Sequence, residues 1–424
     1  MKTLVIGTGG REHALARALA LDPSVTEVHA APGNPGMAEV ATLHPVDPMD
    51  GAAVAALARS LDIALVVVGP EAPLVAGVAD AVSDAGIACF GPSREAARLE
   101  GSKAFSKEVM AAAGVPTAGS SVCQSPEDVA AALDAFGPPY VVKDDALAAG
   151  KGVVVTRDRD EALAHAAACG RVVVEEFLDG PEVSLFAVCD GATAQPLQPA
   201  QDFKRILDGG RGPNTGGMGA YSPLPWAPAD LAETVMRDIV QPTLDEMARR
   251  GAPFRGCLYV GLALTRSGPR VIEFNCRFGD PDVQPVLALL ETPLAGLLKA
   301  AADGNLSSVP TPTFRAGAAV SVVLASAGYP ASSSKGDVID GTEAMAHAKD
   351  VHLIHAGTAR DAEGRLVTAG GRVLAVTATG TDVADARARA YDGVEQIRFD
   401  GRQRRTDIAA EPLGAVEGAS LSEG

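Results

Sequence analysis

Over its first hundred residues the chain alternates short apolar runs with alanine-rich amphipathic segments. The runs cover residues 3–6, 25–31, 63–68 and 87–90. The last two are apolar at nearly every position, as strands covered on both faces must be. Between the runs, apolar residues such as Leu15 and Leu19 recur four apart, which is the helical period. This strand-helix alternation predicts a doubly wound parallel sheet. The four runs lead into glycine- or proline-containing loops at 7–12, 31–34, 69–74 and 91–93. In an open parallel sheet such loops share one edge, where ligands bind.

From about 104 the pattern changes. An amphipathic helix is expected over 104–113, followed by two hairpin-like pairs, 140–143 with 153–156 and 171–177 with 183–189. A glycine-rich loop occupies 208–220, then a helix over about 230–250 and strands over 256–265 and 270–275. Beyond about 328 come short strands around 352–355 and 372–376 and a helix over about 382–396. The tail 411–424 has no periodicity and reads as disordered.

The chain has 424 residues, with 36 Lys and Arg against 53 Asp and Glu, a formal charge of −17. That balance argues against a nucleic-acid binder, which carries a basic patch, but leaves anionic small molecules open, because a local cationic cluster can oppose the global field. No run approaches the ~18 apolar residues of a membrane span, and the start of the chain lacks a signal-peptide pattern. Six cysteines without a CxxC pair read as reduced thiols. A cytoplasmic protein without nucleic-acid or membrane partners is expected.

Several segments carry candidate chemistry. The turn Gly7-Thr8-Gly9-Gly10-Arg11-Glu12 follows a strand and opens a helix, but Glu12 stands where a dinucleotide fingerprint needs glycine. It reads either as an anion site at a helix N-terminus or as a tight turn; one such terminus contributes only ~0.3–1 kcal/mol. Asn34 and Glu71, on neighbouring loops, are candidate substrate contacts or plain turn residues. Lys143 ends a strand among apolar neighbours, in a segment that lacks the glycine and Ser/Thr of a P-loop. A phosphate ligand or an internal salt bridge would account for it. Glu175 and Glu176 end another strand and cannot both face a core; the backbone after them suits adenine, and Glu182 a ribose. The loop over 208–219 reads as a substrate loop or a linker. In residues 271–280, a period of two puts Glu273, Asn275 and Arg277 on one face and Ile272 and Phe274 on the other. A carboxylate and an amide oxygen so placed suit Mg²⁺, which keeps water and phosphate ligands, and Arg277 suits a carboxylate or phosphoryl group. No histidine pair has metal-ligand spacing, and no nucleophile motif occurs.

Together the segments VIGTGGREHALA, APGNPG, VVGPEAPLVAG, EGSKAFSK, VVKDDALAAGKGVVV, EEFLDGPEVS, QDFKR, GPNTGGMGAYSP, EFNCRFGDPDVQP, HAGT and GGRVLAV resemble, in order, the phosphoribosylamine–glycine ligase family of the ATP-grasp superfamily. The resemblance implies an α/β protein in three parts. Residues 1–102 would form the doubly wound domain that binds phosphoribosylamine. Residues 103–327 would form a two-lobed ATP-grasp region with a mobile lid at about 120–190, and 328–410 a small α+β, barrel-like domain. It implies ATP-dependent joining of glycine to 5-phosphoribosylamine through glycyl phosphate, with Mg²⁺ or Mn²⁺, in a monomer. It places Lys103, Lys143, Glu175, Phe177, Leu178 and Glu182 at ATP and Glu273 and Asn275 at the metal. Arg277, Lys143 and Asp202 fall at the reacting groups. Gly9, Gly10, Arg11, Glu12, Asn34, Pro70, Glu71 and the loop Asn214, Thr215, Gly216, Gly217 and Met218 fall at the substrates. Two departures stand out: 157–171 is short where relatives carry a longer glycine-rich insertion, and Ala146 replaces the family's usual glycine.

Overall fold

The computed structural model describes residues 1–146, 152–345, 348 and 350–410; the segment 147–151, Ala346, His347, Lys349 and the tail 411–424 lie outside the described residues. Strands β1 (Lys2–Gly7), β2 (Glu27–Pro32), β3 (Thr42–Leu43), β4 (Leu65–Val68) and β5 (Cys89–Phe90) form a parallel sheet in the order β3-β2-β1-β4-β5. Leu4, Val5, Ile6 and Leu65–Val67 are wholly buried, as their unbroken apolar runs require. The strand order reverses beside β1, so the turns after β1 and β4 flank the crevice where such sheets bind ligands. Helix α1 (Gly10–Ala20) starts from the first of these turns.

A small lobe follows. Its antiparallel sheet runs Ser120–Cys123, Val172–Glu175, Tyr140–Asp144, Val153–Thr156. The helices Pro126–Phe136 and Arg159–Ala168 close a separate core around Leu133, Val142 and Val174. The first expected hairpin is present. The second is not: Val172–Glu175 stays in this sheet, whereas Glu182–Asp190 pairs with Arg255–Thr265 in another sheet that also holds Ala194–Pro196 and Gly268–Asn275. The small lobe's last strand thus ends at Glu175, short of the expected limit near 190, and residues 176–181 cross between bodies.

The third large sheet runs Gln201–Asp202, Gly219–Ser222, Ala318–Ala325, Arg372–Gly380, Val351–His355. It draws strands from the central stretch, so residues 328–410 do not build it alone. The expected glycine-rich loop is partly a hairpin of Arg205–Leu207 and Arg211–Asn214. At its tip Asp208 accepts the Thr406 N–H at 2.7 Å, and the Gly209 N–H donates to Asp407 at 2.7 Å. The tip is therefore docked on the C-terminal segment. No helix among the described residues is long and apolar enough to cross a membrane.

Helix α1 meets the third sheet through buried imidazoles. The His355 N–H donates to His13 Nδ1 at 2.8 Å, and His355 Nδ1 lies 3.1 Å from the Thr358 hydroxyl. Burial, then His355 and Arg17, lower His13 to about 3; burial and Arg360 lower His355 to about 4. Both are neutral in the fold and take protons at higher pH when unfolded, so stability is full above about pH 6.5 and is lost as pH falls below it. Each should cost roughly 2 kcal/mol by pH 5. Urea unfolding at pH 7 and 5 should show that loss, and His13→Asn should flatten it; an unchanged slope would contradict the assignment.

Candidate active site

The small lobe, the central sheet and the N-terminal turns enclose a cleft of about 460 Å³. Its floor is the strand Gly268–Asn275. Phe274 is buried in the core beneath, while Glu273 and Asn275 face the cleft, as the two-residue period predicts. Neither side chain has a hydrogen-bond or ion-pair partner among the described residues. Burial opposes charge on Glu273, but Lys204, Lys103, Lys143 and Arg277 outweigh it and hold the carboxyl below its ordinary range. Among the described residues no group of three His, Cys, Asp or Glu could cage a metal. Two unspent hard oxygen donors fit Mg²⁺, which completes its shell with water and phosphate.

Lys143 is in an internal salt bridge, the second of the two readings open from sequence. Its Nζ is 2.9 Å from Glu175 Oε2 and donates to the Ile272 carbonyl at 2.9 Å, yet it lines the cleft. Of the two strand-end carboxylates, Glu175 turns inward to this lysine. Glu176, also on the cleft lining, accepts the Gly119 N–H and pairs with Arg270. The crossing that follows brings Phe177 and Leu178 to the cleft wall, with Lys103 opposite and Glu182 paired to Lys204 at 2.8 Å. Ala146 donates its N–H to Asp144 at 3.3 Å.

At the other end of the cleft two guanidinium groups converge. Arg277 lies 2.9 Å from Glu100 and 3.2 Å from Glu71; Arg11 lies 3.8 Å from Glu71 and donates to the Phe278 carbonyl. Burial works against Glu71's charge, but Arg277 and Arg11 prevail and keep it ionised. Asp202 and Lys204 lie between the two ends. Burial pushes Asp202 well above the ordinary carboxyl range against Lys204, with Asp282, Glu182 and Glu273 adding to the rise. Asn214, Thr215 and Gly216 reach the cleft, held by the Thr215 hydroxyl donating to the Lys204 carbonyl and by Tyr329 accepting the Gly216 N–H.

Seven expected contacts lie outside this cleft lining. The Glu12 carboxylate accepts the Gly9 N–H and the Arg11 Nε–H, both at 2.6 Å. The chain's own anion thus sits at the start of α1, where an open anion site was expected. Gly10 packs beneath Gln284 and Asp280, and a Cβ there would fall 2.8 Å from Gln284 Nε2. Asn34 is spent on the backbone: it donates to the carbonyls of Thr8 and His355 and accepts the Met37 N–H. Pro70 precedes the short helix Glu71–Ala76. Gly217 packs on Pro281, and Met218 is wholly buried in the core. In turn, sequence reasoning passed over Glu100, Lys204, Asp280, Asp282 and Arg372, all on the cleft wall. All five lie within the quoted segments EGSKAFSK, QDFKR, EFNCRFGDPDVQP and GGRVLAV, so the signal was there without a role attached.

Three sequence models of the phosphoribosylglycinamide synthetase family match in series: the N domain over residues 1–100, the ATP-grasp (A) domain over 101–283 and the C domain over 319–411. A phosphoribosylamine–glycine ligase of Streptomyces coelicolor is 65% identical over 417 residues, covering 98% of this chain and 100% of that protein. Its counterpart in Mycobacterium tuberculosis strain H37Rv is 55% identical over 427 residues, covering 99% of each chain. The crystal structure of phosphoribosylamine–glycine ligase from Thermotoga maritima superposes with a TM-score of 0.83 at 34% identity, covering 96% of this chain and 100% of that one. The biotin carboxylase domain of a Hydrogenobacter thermophilus carboxylase, solved with MgADP, superposes at a TM-score of 0.71 and 17% identity over 95% of this chain and 91% of that one, a likeness of fold.

Proposed function

The chain belongs to the phosphoribosylglycinamide synthetase family, and from that premise we propose that its cleft joins glycine to 5-phosphoribosylamine at the expense of ATP. The observation that carries this reading is a single cleft with two functional ends: Lys103, Lys143 and the Phe177–Leu178 crossing at one, Arg11, Arg277 and Glu71 at the other, and Glu273 with Asn275 between.

The chemistry follows from what a carboxylate lacks. Glycine's carboxylate has no leaving group, so an oxygen of it attacks the γ-phosphorus of ATP, ADP departs, and glycyl phosphate results. The amine of phosphoribosylamine then attacks the acyl carbon, the C–O bond to phosphate breaks, and the nitrogen releases a proton as the amide forms. No enzyme nucleophile is needed; positioning and charge stabilisation supply the rate. Lys103 and Lys143 hold the triphosphate, and backbone groups at Phe177 and Leu178 receive the adenine beside Glu182. Arg277 steadies the carboxylate and the phosphoryl oxygens as charge moves between them. Arg11 and Glu71 receive the amine substrate, with the 214–216 loop and Asp202 closing the site. Glu273 and Asn275 would hold Mg²⁺, or Mn²⁺ with the same donor preference, which neutralises phosphate charge when bound. Closure of the small lobe would keep water from the acyl phosphate. A monomer is what the family resemblance implies, and six free thiols suit the reducing cytoplasm.

The test is ADP release with Mg·ATP, glycine and phosphoribosylamine formed in situ, leaving out each in turn. ADP only with all three is expected; ADP with another acid or amine in place of these would point to a different ATP-grasp ligase. Arg11→Ala should raise KM for the phosphorylated amine ~10–100-fold, the value of a lost charged hydrogen bond, with KM for ATP within about twofold. Equal rises would make the turn purely structural.

A further inference from the structure

One charged group beside the cleft has no place in the mechanism above. On the helix Lys103–Ala113, Lys107 lies one turn beyond Lys103 and so shares its face. Lys103 lines the cleft, but Lys107 is absent from its lining and is 8% exposed. A buried lysine needs a partner, and this one has three. Its Nζ is 3.1 Å from Glu175 Oε1, donates to the Thr117 hydroxyl at 2.9 Å and reaches the Ala118 carbonyl at 3.2 Å. The Thr117 hydroxyl in turn donates to the Val271 carbonyl at 2.6 Å. The other Glu175 oxygen belongs to Lys143, whose Nζ is also anchored on the Ile272 carbonyl.

We propose that Lys107 is a positioning residue for nucleotide binding: by taking one oxygen of Glu175 it fixes that carboxylate and leaves the Lys143 ammonium only partly compensated, with net positive charge for the ATP phosphates. The inference rests on the ATP reading above. A carboxylate paired with Lys143 alone would cancel the charge that a triphosphate needs. One carboxylate shared by two ammonium groups keeps a net positive charge in a poorly solvated place, where charge acts most strongly. The same trio ties three bodies together: the helix that carries Lys107, the small-lobe strands that carry Lys143 and Glu175, and the central strand that carries Ile272. Lys107 also holds residues 117 and 118, where the chain enters the small lobe. Position and charge are set by one group that touches no substrate.

The experiment is calorimetric binding of Mg·ATP and of adenosine, the same ligand without phosphates, to the wild-type protein and Lys107→Met, with thermal unfolding as the check on folding. Lys107→Met should bind ATP ~10–100-fold more weakly, the span of a charge-assisted contact, and adenosine as the wild type does. If Lys107→Met does not fold, Lys107→Gln keeps an N–H donor for Thr117 and Ala118 without the charge and carries the same expectation. Unchanged ATP affinity, or equal losses for ATP and adenosine, would overturn the proposal. A wild-type protein that binds neither would instead overturn the ATP reading itself.

Discussion

Replacing Glu273 with alanine is expected to lower kcat about 10³-fold while the protein stays folded. The side chain packs no core and has no partner among the described residues, so its removal opens no cavity and breaks no bond. What is lost is the carboxylate among Lys204, Lys103, Lys143 and Arg277, and with it the anionic donor proposed for the cation. Four cationic groups then face one another without it, and nucleotide should bind without being turned over. Stopped turnover, a thermal midpoint within a few degrees of wild type and a loss of Mn²⁺ binding by electron paramagnetic resonance would together support the role. Near-normal turnover would remove the metal assignment.

Arg277→Met should affect both stability and turnover. Its guanidinium lies between Glu100, which is buried, and Glu71, and the attraction of the two carboxylates, against the cost of burial, raises its pKa further. Truncation leaves two carboxylates at the cleft without that cation, a change worth ~3–5 kcal/mol where an ion pair is buried. Turnover should fall ~10²–10³-fold as the acyl-phosphate oxygens lose their clamp. Arg277→Lys separates the two effects. It keeps a charge near Glu100 but cannot present the planar fork that reaches both carboxylates, so stability should return in larger part than turnover. Equal recovery of both would mean that Arg277 acts only through the fold.

The parallel sheet and the cleft-facing strand were legible because each follows from a local period. Four short apolar runs predict four of the sheet's five strands, and alternation over 272–277 sorts Glu273, Asn275 and Arg277 from Phe274. The 171–177 and 183–189 pair failed for a physical reason. Two apolar runs across a Gly-Pro turn look like a hairpin, but their hydrogen-bond partners lie far along the chain, at 120–123 and 140–144 for one and at 255–265 for the other. The two-residue strand β3 is too short to show a period at all.

At the site, residue type was informative where a charge is costly and ambiguous where it is cheap. A lysine ending an apolar strand had to meet an anion, and Lys143 does, although that anion is Glu175. Asn34 and Glu12 have side chains that serve a ligand or a backbone equally well. The Asn34 partner, the His355 carbonyl, is fixed by the folded chain and not by spacing, whereas the Glu12 partner, the Gly9 N–H three residues back, is the local back-bond of a helix start and was open to sequence reading. Lys107 closes the quoted segment EGSKAFSK without a role attached, for the complementary reason: a lysine in the middle of an amphipathic helix is ordinary until the structure shows it buried against Glu175.

The most direct test follows one atom. Glycine carrying oxygen-18 in its carboxylate, turned over with Mg·ATP and phosphoribosylamine, should pass one labelled oxygen to inorganic phosphate, read by mass spectrometry, with the other retained in the amide product. Label appearing in AMP, or phosphate without label while the amide accumulates, would contradict activation of the carboxylate as glycyl phosphate.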